Sequence, residues 1–244
     1  MRRLKADLHV HSCLSPCADL LMSPKRIVQE AEKRGINVIA ICDHNSAENT
    51  WAAIKAARNT GIFIIPGMEI TSQEEVHILG WFPSVEAALE VQAKVYGALP
   101  GTNDPDKFGL QVVADEDDVV MDFNERLLIG ATTLPLEEIV RVIKRAGGLA
   151  VASHIDREGF GILGQLGFIP PELELDALEV TSHLGIEKAK ALYPNYSAKF
   201  PFVCSSDAHV PEDLGQGTTE LECKAASFEE IRLAVKGLEG RKIC

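Results

Sequence analysis

The sequence predicts an α/β fold with a mainly parallel sheet. Short apolar runs of strand length recur along the chain, and most are followed by a stretch of helical period. A length of 244 residues is common for a single α/β barrel. Hydrophobic residues at 46% and charged residues at 25% allow a core on both faces of such a sheet.

Strands are expected at Leu4–Val10, Asn37–Cys42, Ile62–Pro66, Val76–Trp81, Leu149–Ser153, Ala177–Thr181, Phe202–Ser206 and Thr218–Leu221. The first helix is expected over Ser23–Arg34, because Ser23-Pro24 supplies a cap followed by proline at the first helical position and Gly35 supplies a stop. Similar logic places helices at Ala47–Thr60, Val85–Tyr96, Leu136–Ala146, Gly185–Leu192 and Phe228–Gly237. The stretch 97–130 breaks the rhythm with Gly, Pro and Asp and then the acidic run Asp115–Asp118, so it reads as an excursion or lid on a single domain spanning 1–244. No internal repeat is present.

The formal net charge of -12 carries no dense Lys or Arg run, which argues against coating duplex DNA. It does not argue against a small phosphate ester, since two or three divalent cations would reverse the potential of one cleft. No apolar stretch approaches the ~20 residues of a membrane span, and MRRLKADLHVHS turns polar too early for a signal-peptide core, so the expected compartment is the cytoplasm. Six scattered cysteines read as reduced thiols.

The informative observation is where metal-binding side chains fall. His9 and His11 stand two apart at the end of the first strand, so period-two geometry turns both imidazoles to one side. Asp207 and His209 repeat that spacing later, while His44, Glu69, His77 and His154 also sit against predicted strands. Carboxyl ends of strands are where barrels and open α/β sheets place their sites. Any one such histidine is more readily explained as a hydrogen-bonded structural residue. Six of the seven histidines in such positions are not; only His183 needs a separate account.

Asp-Leu-His-Val-His-Ser at 7–12, Cys-Asp-His-Asn at 42–45, Gly-Met-Glu-Ile at 67–70, His77, Ser-His-Ile-Asp at 153–156 and Ser-Asp-Ala-His at 206–209 together resemble the ordered motifs of the PHP (polymerase and histidinol phosphatase) family. The resemblance runs from residue 4 to about residue 210. It implies a distorted (β/α)7 TIM-like barrel of the PHP type, a site for two or three divalent metal ions, and hydrolysis of phosphate esters. By that resemblance His9, His11, Glu69 and Asp207 would bind a first metal, Glu69 would bridge to a second held by His77 and His154, and His44 with His209 would take a third. Asp19 is the candidate to complete the third site, in a stretch Ser-Pro-Cys-Ala-Asp-Leu that is longer than the family's usual spacing. Imidazole and carboxylate donors suit Zn, Mn or Fe, and two such ions about 3.5–4 Å apart can hold a bridging hydroxide for in-line attack at phosphorus.

Three further residues are expected to serve the chemistry. Arg157 could clamp a substrate phosphate or pair with a nearby acid, His183 could protonate a leaving group or be structural, and Asp43 could hydrogen-bond a ligand imidazole or cap a loop. Gly159–Gly164 fits G-x-G-x-x-G, but it stands too far past its strand for a dinucleotide site. The expected substrate is a phosphomonoester or a short nucleotide or oligonucleotide phosphodiester. The rival readings are an amidohydrolase-type deaminase and a non-catalytic metal-binding regulatory module.

Overall fold

In a computed structural model describing residues 1–244, the chain runs β1 (Arg2–Val10), α1 (Pro24–Lys33), β2 (Val38–Ile41), α2 (Thr50–Ala56), β3 (Phe63–Thr71), β4 (His77–Trp81) and α3 (Val85–Ala98). It continues through α4 (Pro105–Phe108), β5 (Val112–Ala114), β6 (Val120–Phe123), α5 (Leu136–Arg145), β7 (Leu149–Ala152), α6 (Ile162–Leu166) and β8 (Ala177–Thr181). It ends with α7 (Ile186–Leu192), α8 (Pro194–Ser197), β9 (Phe202–Ser205), β10 (Thr219–Cys223), α9 (Phe228–Val235) and β11 (Lys242–Ile243). No helix is long and apolar enough to cross a membrane.

Nine strands form one sheet in the order β11, β10, β1, β2, β3, β4, β7, β8, β9. The seven from β1 to β9 in that order curl into a nearly closed barrel. A parallel bridge joins Val10 to Ala208 just past β9, and His11 N–H donates to Ala208 O at 3.0 Å. The barrel is distorted because β4 runs antiparallel to both β3 and β7, whereas the other barrel pairs are parallel. Strands β10 and β11 extend the sheet antiparallel beyond β1.

Leu8, Ala40, Ile65, Leu79, Val151, Ala177 and Val203, one from each barrel strand, share a single buried cluster that Phe228 and Ile231 of α9 join. Outside the barrel, α5 buries Leu136, Ile139, Val140 and Ile143 on one stripe, with Glu137 and Glu138 in its first turn and Lys144 and Arg145 in its last, as the helix dipole favours. Helix α1 begins as its sequence signals predict, with Ser23 Oγ accepting from Arg26 N–H at 3.3 Å and Pro24 in the first turn.

One irregularity decides the site. Opposite β2, Asp7 pairs with Ile39 and Val10 with Ile41, so β1 carries one extra residue. Leu8 therefore points into the barrel, yet Val10, two residues on, packs outside with Ile27 and Val28 of α1. The bulge reverses the alternation between them and turns both His9 and His11 inward.

Gly67 is required where β3 passes β2. A Cβ there would lie 2.6 Å from Cys42 Sγ and 2.7 Å from Ile41 O. Trp81 is fully buried in the interior cluster and donates Nε1–H to Leu8 O at 3.0 Å, just before the bulge. Trp81→Phe should lower the unfolding free energy by about 1–3 kcal/mol in urea titrations, through the void and the orphaned carbonyl.

The helix expected over 47–60 is shorter. Asn45 and Asn49 are committed to side-chain bonds with the 97–130 excursion: Asn45 Nδ2 reaches Leu128 O and Gly130 O at 2.8 and 2.9 Å, and Asn49 bonds Val112 O and Ala114 N–H, both at 3.0 Å. That excursion holds α4 and the β5–β6 hairpin, elements that no apolar periodicity announces. All four residues of β6 are exposed.

Candidate metal centre

The barrel's strand ends bring the predicted ligands to one mouth. His9 lies in β1 and His11 just past it, His44 follows β2, His154 follows β7, and Asp207 and His209 follow β9. His77, near the start of the strand expected over Val76–Trp81, opens β4, so it alone of the predicted histidine ligands lies at the amino end of its strand. Because β4 is reversed, its first residue lies where its neighbours finish, with Thr71 of β3 directly opposite.

Glu69 of β3 stands at the centre. Its Oε1 lies 2.9 Å from His77 Nδ1, 3.3 Å from His154 Nε2 and 3.5 Å from His9 Nε2. Its Oε2 lies 3.2 Å from His44 Nδ1 and 3.4 Å from His11 Nε2. The two oxygens thus face different sets of imidazoles. Asp207 Oδ1 approaches His9 Nε2 at 3.3 Å and His11 Nε2 at 3.1 Å, and His209 stacks on His11 with ring centroids 4.2 Å apart. Three triplets have donor atoms mutually within 4.8 Å: His11, His44 and His209; His9, His11 and Glu69; His44, Glu69 and His77.

Four of these converging atoms, His44 Nδ1, His77 Nδ1, Glu69 Oε1 and Asp207 Oδ1, are buried with no hydrogen-bond partner. Orphaned buried polar atoms are expensive and rare. Lone pairs aimed at shared points rather than at each other are the arrangement a cation satisfies, and the N/O donor set fits Zn, Mn or Fe.

The electrostatics have the same origin. Burial opposes the charged form of His9, but Glu179, Asp207 and Glu69 override it and hold His9 well above the imidazole range. Against the same burial, the adjacent carboxylates of Asp207 and Glu69 raise His11 to about 9. Burial, reinforced by His11 and His77, pushes His44 well below its ordinary value, and burial with His11 lowers His209 to about 4. Glu69 is held far below the carboxylate range because His77, His9 and His44 outweigh its desolvation.

Two of the converging residues hold left-handed backbone, His154 with φ +26° and Asp207 with φ +51°. Such conformations are costly for residues other than glycine and collect at functional sites.

Asp43 is fully buried behind the mouth and out of reach of any substrate. It accepts from Ser12 N–H at 2.7 Å, Ser12 Oγ at 2.6 Å and Ser15 Oγ at 2.7 Å, and Ser15 Oγ in turn lies 2.9 Å from His11 Nδ1. It reaches His11 only through Ser15. Asp7 bridges Ser206 N–H and Gly215 N–H at 3.0 and 2.8 Å, a loop cap raised by burial to about 6.

Asp19 sits beside His209 through its backbone, donating N–H to His209 O at 2.8 Å, while its Oδ1 accepts from Leu21 N–H at 2.8 Å. That carboxylate oxygen caps its own turn. Arg157 reaches Asp207 Oδ2 with its guanidinium at 2.7 Å and remains 47% exposed. His183 is exposed on the same cavity of about 420 Å³, which Arg157, Thr181, Ser206 and His209 also line.

Phe160 lies over His77, with ring centroids 4.5 Å apart and planes 17° from parallel, and its carbonyl accepts His77 N–H at 2.9 Å. The glycines of 159–164 make this possible: a Cβ on Gly161 would lie 2.4 Å from Arg157 O, and one on Gly164 2.2 Å from Glu158 O. They allow a tight loop and do not form a dinucleotide cradle.

The sequence reading passed over Glu179. Its Oε2 lies 2.9 Å from His9 Nδ1, and its side chain is 2% exposed. The signal was present, since a carboxylate stands inside the apolar run Ala-Leu-Glu-Val of β8, on the barrel-facing parity of Ala177.

A family model for the PHP domain matches residues 7–158, and one described as PHP-associated matches residues 187–237. A 5'-3' exoribonuclease from Haemophilus influenzae is 40% identical over 96 residues, which is 36% of this chain and 34% of that protein. A phosphoribosyl 1,2-cyclic phosphate 1,2-diphosphodiesterase from Eggerthella lenta is 29% identical over 79 residues, covering 30% of this chain and 29% of that one. Among solved structures, the lesion-specific endonuclease PfuEndoQ from Pyrococcus furiosus superposes with a TM-score of 0.76 at 23% identity, covering 99% of this chain and 58% of that one. The chain therefore spans about a third of the length of the exoribonuclease and the diphosphodiesterase.

Proposed function

Because the chain belongs to the PHP domain family, we propose that it is a metal-dependent phosphoesterase acting on a nucleotide or short oligonucleotide phosphodiester. The observation that carries the proposal is the Glu69 carboxylate within 2.9–3.5 Å of five imidazoles, at a barrel mouth beside a polar cavity. The similar exoribonuclease, cyclic-phosphate diphosphodiesterase and endonuclease support a phosphodiester over other esters.

In this reading His9, His11, His44, Glu69, His77, His154, Asp207 and His209 hold two or three divalent cations, with Asp19 as a further candidate beside His209. Bound cations would activate water and neutralise charge building on the phosphate. The chain's own residues position the ester. Arg157 spends one nitrogen on Asp207, which leaves guanidinium donors for a non-bridging oxygen. His183, on the cavity rim, is placed to give a proton to the leaving oxygen. The 97–130 excursion is tied to Asn45 and Asn49, close in sequence to His44.

Metal-stripped protein reconstituted with Mn or Zn should be assayed against p-nitrophenyl phosphate esters, mononucleotides and short oligonucleotides. Hydrolysis of oligonucleotides that EDTA abolishes and added metal restores is the expected result. Absence of turnover on every phosphate ester with both metals would overturn the proposal.

A further inference from the structure

We infer that Glu179 is a positioning residue that fixes two cation-binding histidines from two different strands at once. One carboxylate oxygen, Oε2, does both. It meets His9 Nδ1 at 2.9 Å and accepts the backbone N–H of His154 at 3.1 Å. The carbonyl of the same residue accepts Ile155 N–H at 2.9 Å, and Thr181 N–H, two residues on, donates to Asp156 Oδ1 at 2.9 Å. With Thr181 Oγ1–H donating to Asp156 Oδ2, four hydrogen bonds from three consecutive residues fasten the turn carrying His154 to β8.

The consequence for His9 is a choice of nitrogen. With Nδ1–H given to Glu179, the ring presents Nε2 to the cluster, where Asp207 Oδ1 lies 3.3 Å and His11 Nε2 3.1 Å away. A histidine that donates its remote N–H to a carboxylate has its tautomer and ring plane set and its other nitrogen made a better ligand. The consequence for His154 is conformational. Its φ of +26° is unfavourable for a residue with a Cβ, and the bond from its N–H to Glu179 helps hold the turn there.

A buried carboxylate in an apolar strand is costly unless its partners compensate for lost water. Glu179 Oε2 has those partners, and they are residues of the cation site, while Oε1 is buried without one. This inference rests on the cation-binding reading of the cluster.

Calorimetric titration of metal-free protein with Zn tests it. Glu179→Ala should weaken Zn binding about 10–100-fold, the range usual for loss of a ligand's hydrogen-bonded partner. Glu179→Gln, whose amide oxygen still accepts from both N–H groups, should recover to within about threefold of wild type. Zn binding by Glu179→Ala equal to wild type, or a loss in Glu179→Gln as large as in Glu179→Ala, would overturn the role of Glu179. If the alanine variant does not fold, proton–nitrogen correlation spectra of Zn-loaded wild-type protein decide: a proton on His9 Nδ1 with Zn at Nε2 supports the inference, and Zn at Nδ1 overturns it. Wild-type protein that takes up no Zn would instead sink the cation-binding reading itself.

Discussion

Glu69→Gln should lower phosphodiester turnover by roughly 10³-fold or more, taking ~4 kcal/mol for the charge stabilisation lost when the cations are no longer held together. The amide keeps the shape of the carboxylate, so the barrel should remain folded, but it removes the one anion that faces His77, His154 and His9 with one oxygen and His44 and His11 with the other. A neutral amide oxygen is a weaker ligand, and its NH₂ end would point a donor at ring nitrogens that need an acceptor or a metal. Metal content by mass spectrometry should fall with activity. A variant retaining wild-type metal content and turnover within threefold would remove Glu69 from the centre of the mechanism.

Much of the site was legible because the relevant signals are local. A short apolar run says where a strand ends, and charged or imidazole side chains at such ends stand out against it, so His9, His11, His44, His154, Asp207 and His209 could be read directly, whereas Glu69, expected beyond a strand ending at Pro66, lies within β3. Period-two spacing put His9 and His11 on one side, but which side depended on the extra residue opposite Ile39 and Ile41, a pairing irregularity that no local pattern encodes. Strand direction was equally hidden. The reversal of β4 depends on its hydrogen-bonded partners, so nothing local showed why His77, near the start of its strand, reaches the mouth where the other strands end.

Residues whose role depends on a distant partner were harder. Glu179 meets His9 across 170 positions of sequence, and Asp43 acts on His11 only through Ser15. The β5–β6 hairpin was missed because its β6 strand is exposed on every residue and therefore shows no burial alternation. Arg157 was read as choosing between a phosphate and a nearby acid such as Glu158; its partner is Asp207, brought near by closure of the barrel.

Saturating Zn or Mn should raise the thermal midpoint, and the gain should grow with pH. At free metal about 1,000-fold above Kd, one site adds about 4 kcal/mol, which is about 8–16 °C for a chain of this size. The pH trend follows from His11. In the metal-free protein its pKa is raised to about 9, above the unfolded value of 6.5. A raised imidazole contributes stability that is fully present below 6.5 and is lost as pH climbs through 9. The metal-free protein should therefore weaken across that window. His9, also held well above the imidazole range, adds in the same direction. Glu69 and Asp207 are far below their ordinary range and stay ionised throughout, so the trend belongs to the imidazoles. A bound cation takes the place of those protons, which makes metal affinity rise with pH as the competition fades. Binding near pH 8 should release protons, measurable by calorimetry in buffers of different ionisation enthalpy. His44 and His209, both lowered, have none to give there. A metal-induced shift that is the same at pH 6 and pH 9, with no proton release, would mean that cations bind somewhere other than at His9 and His11.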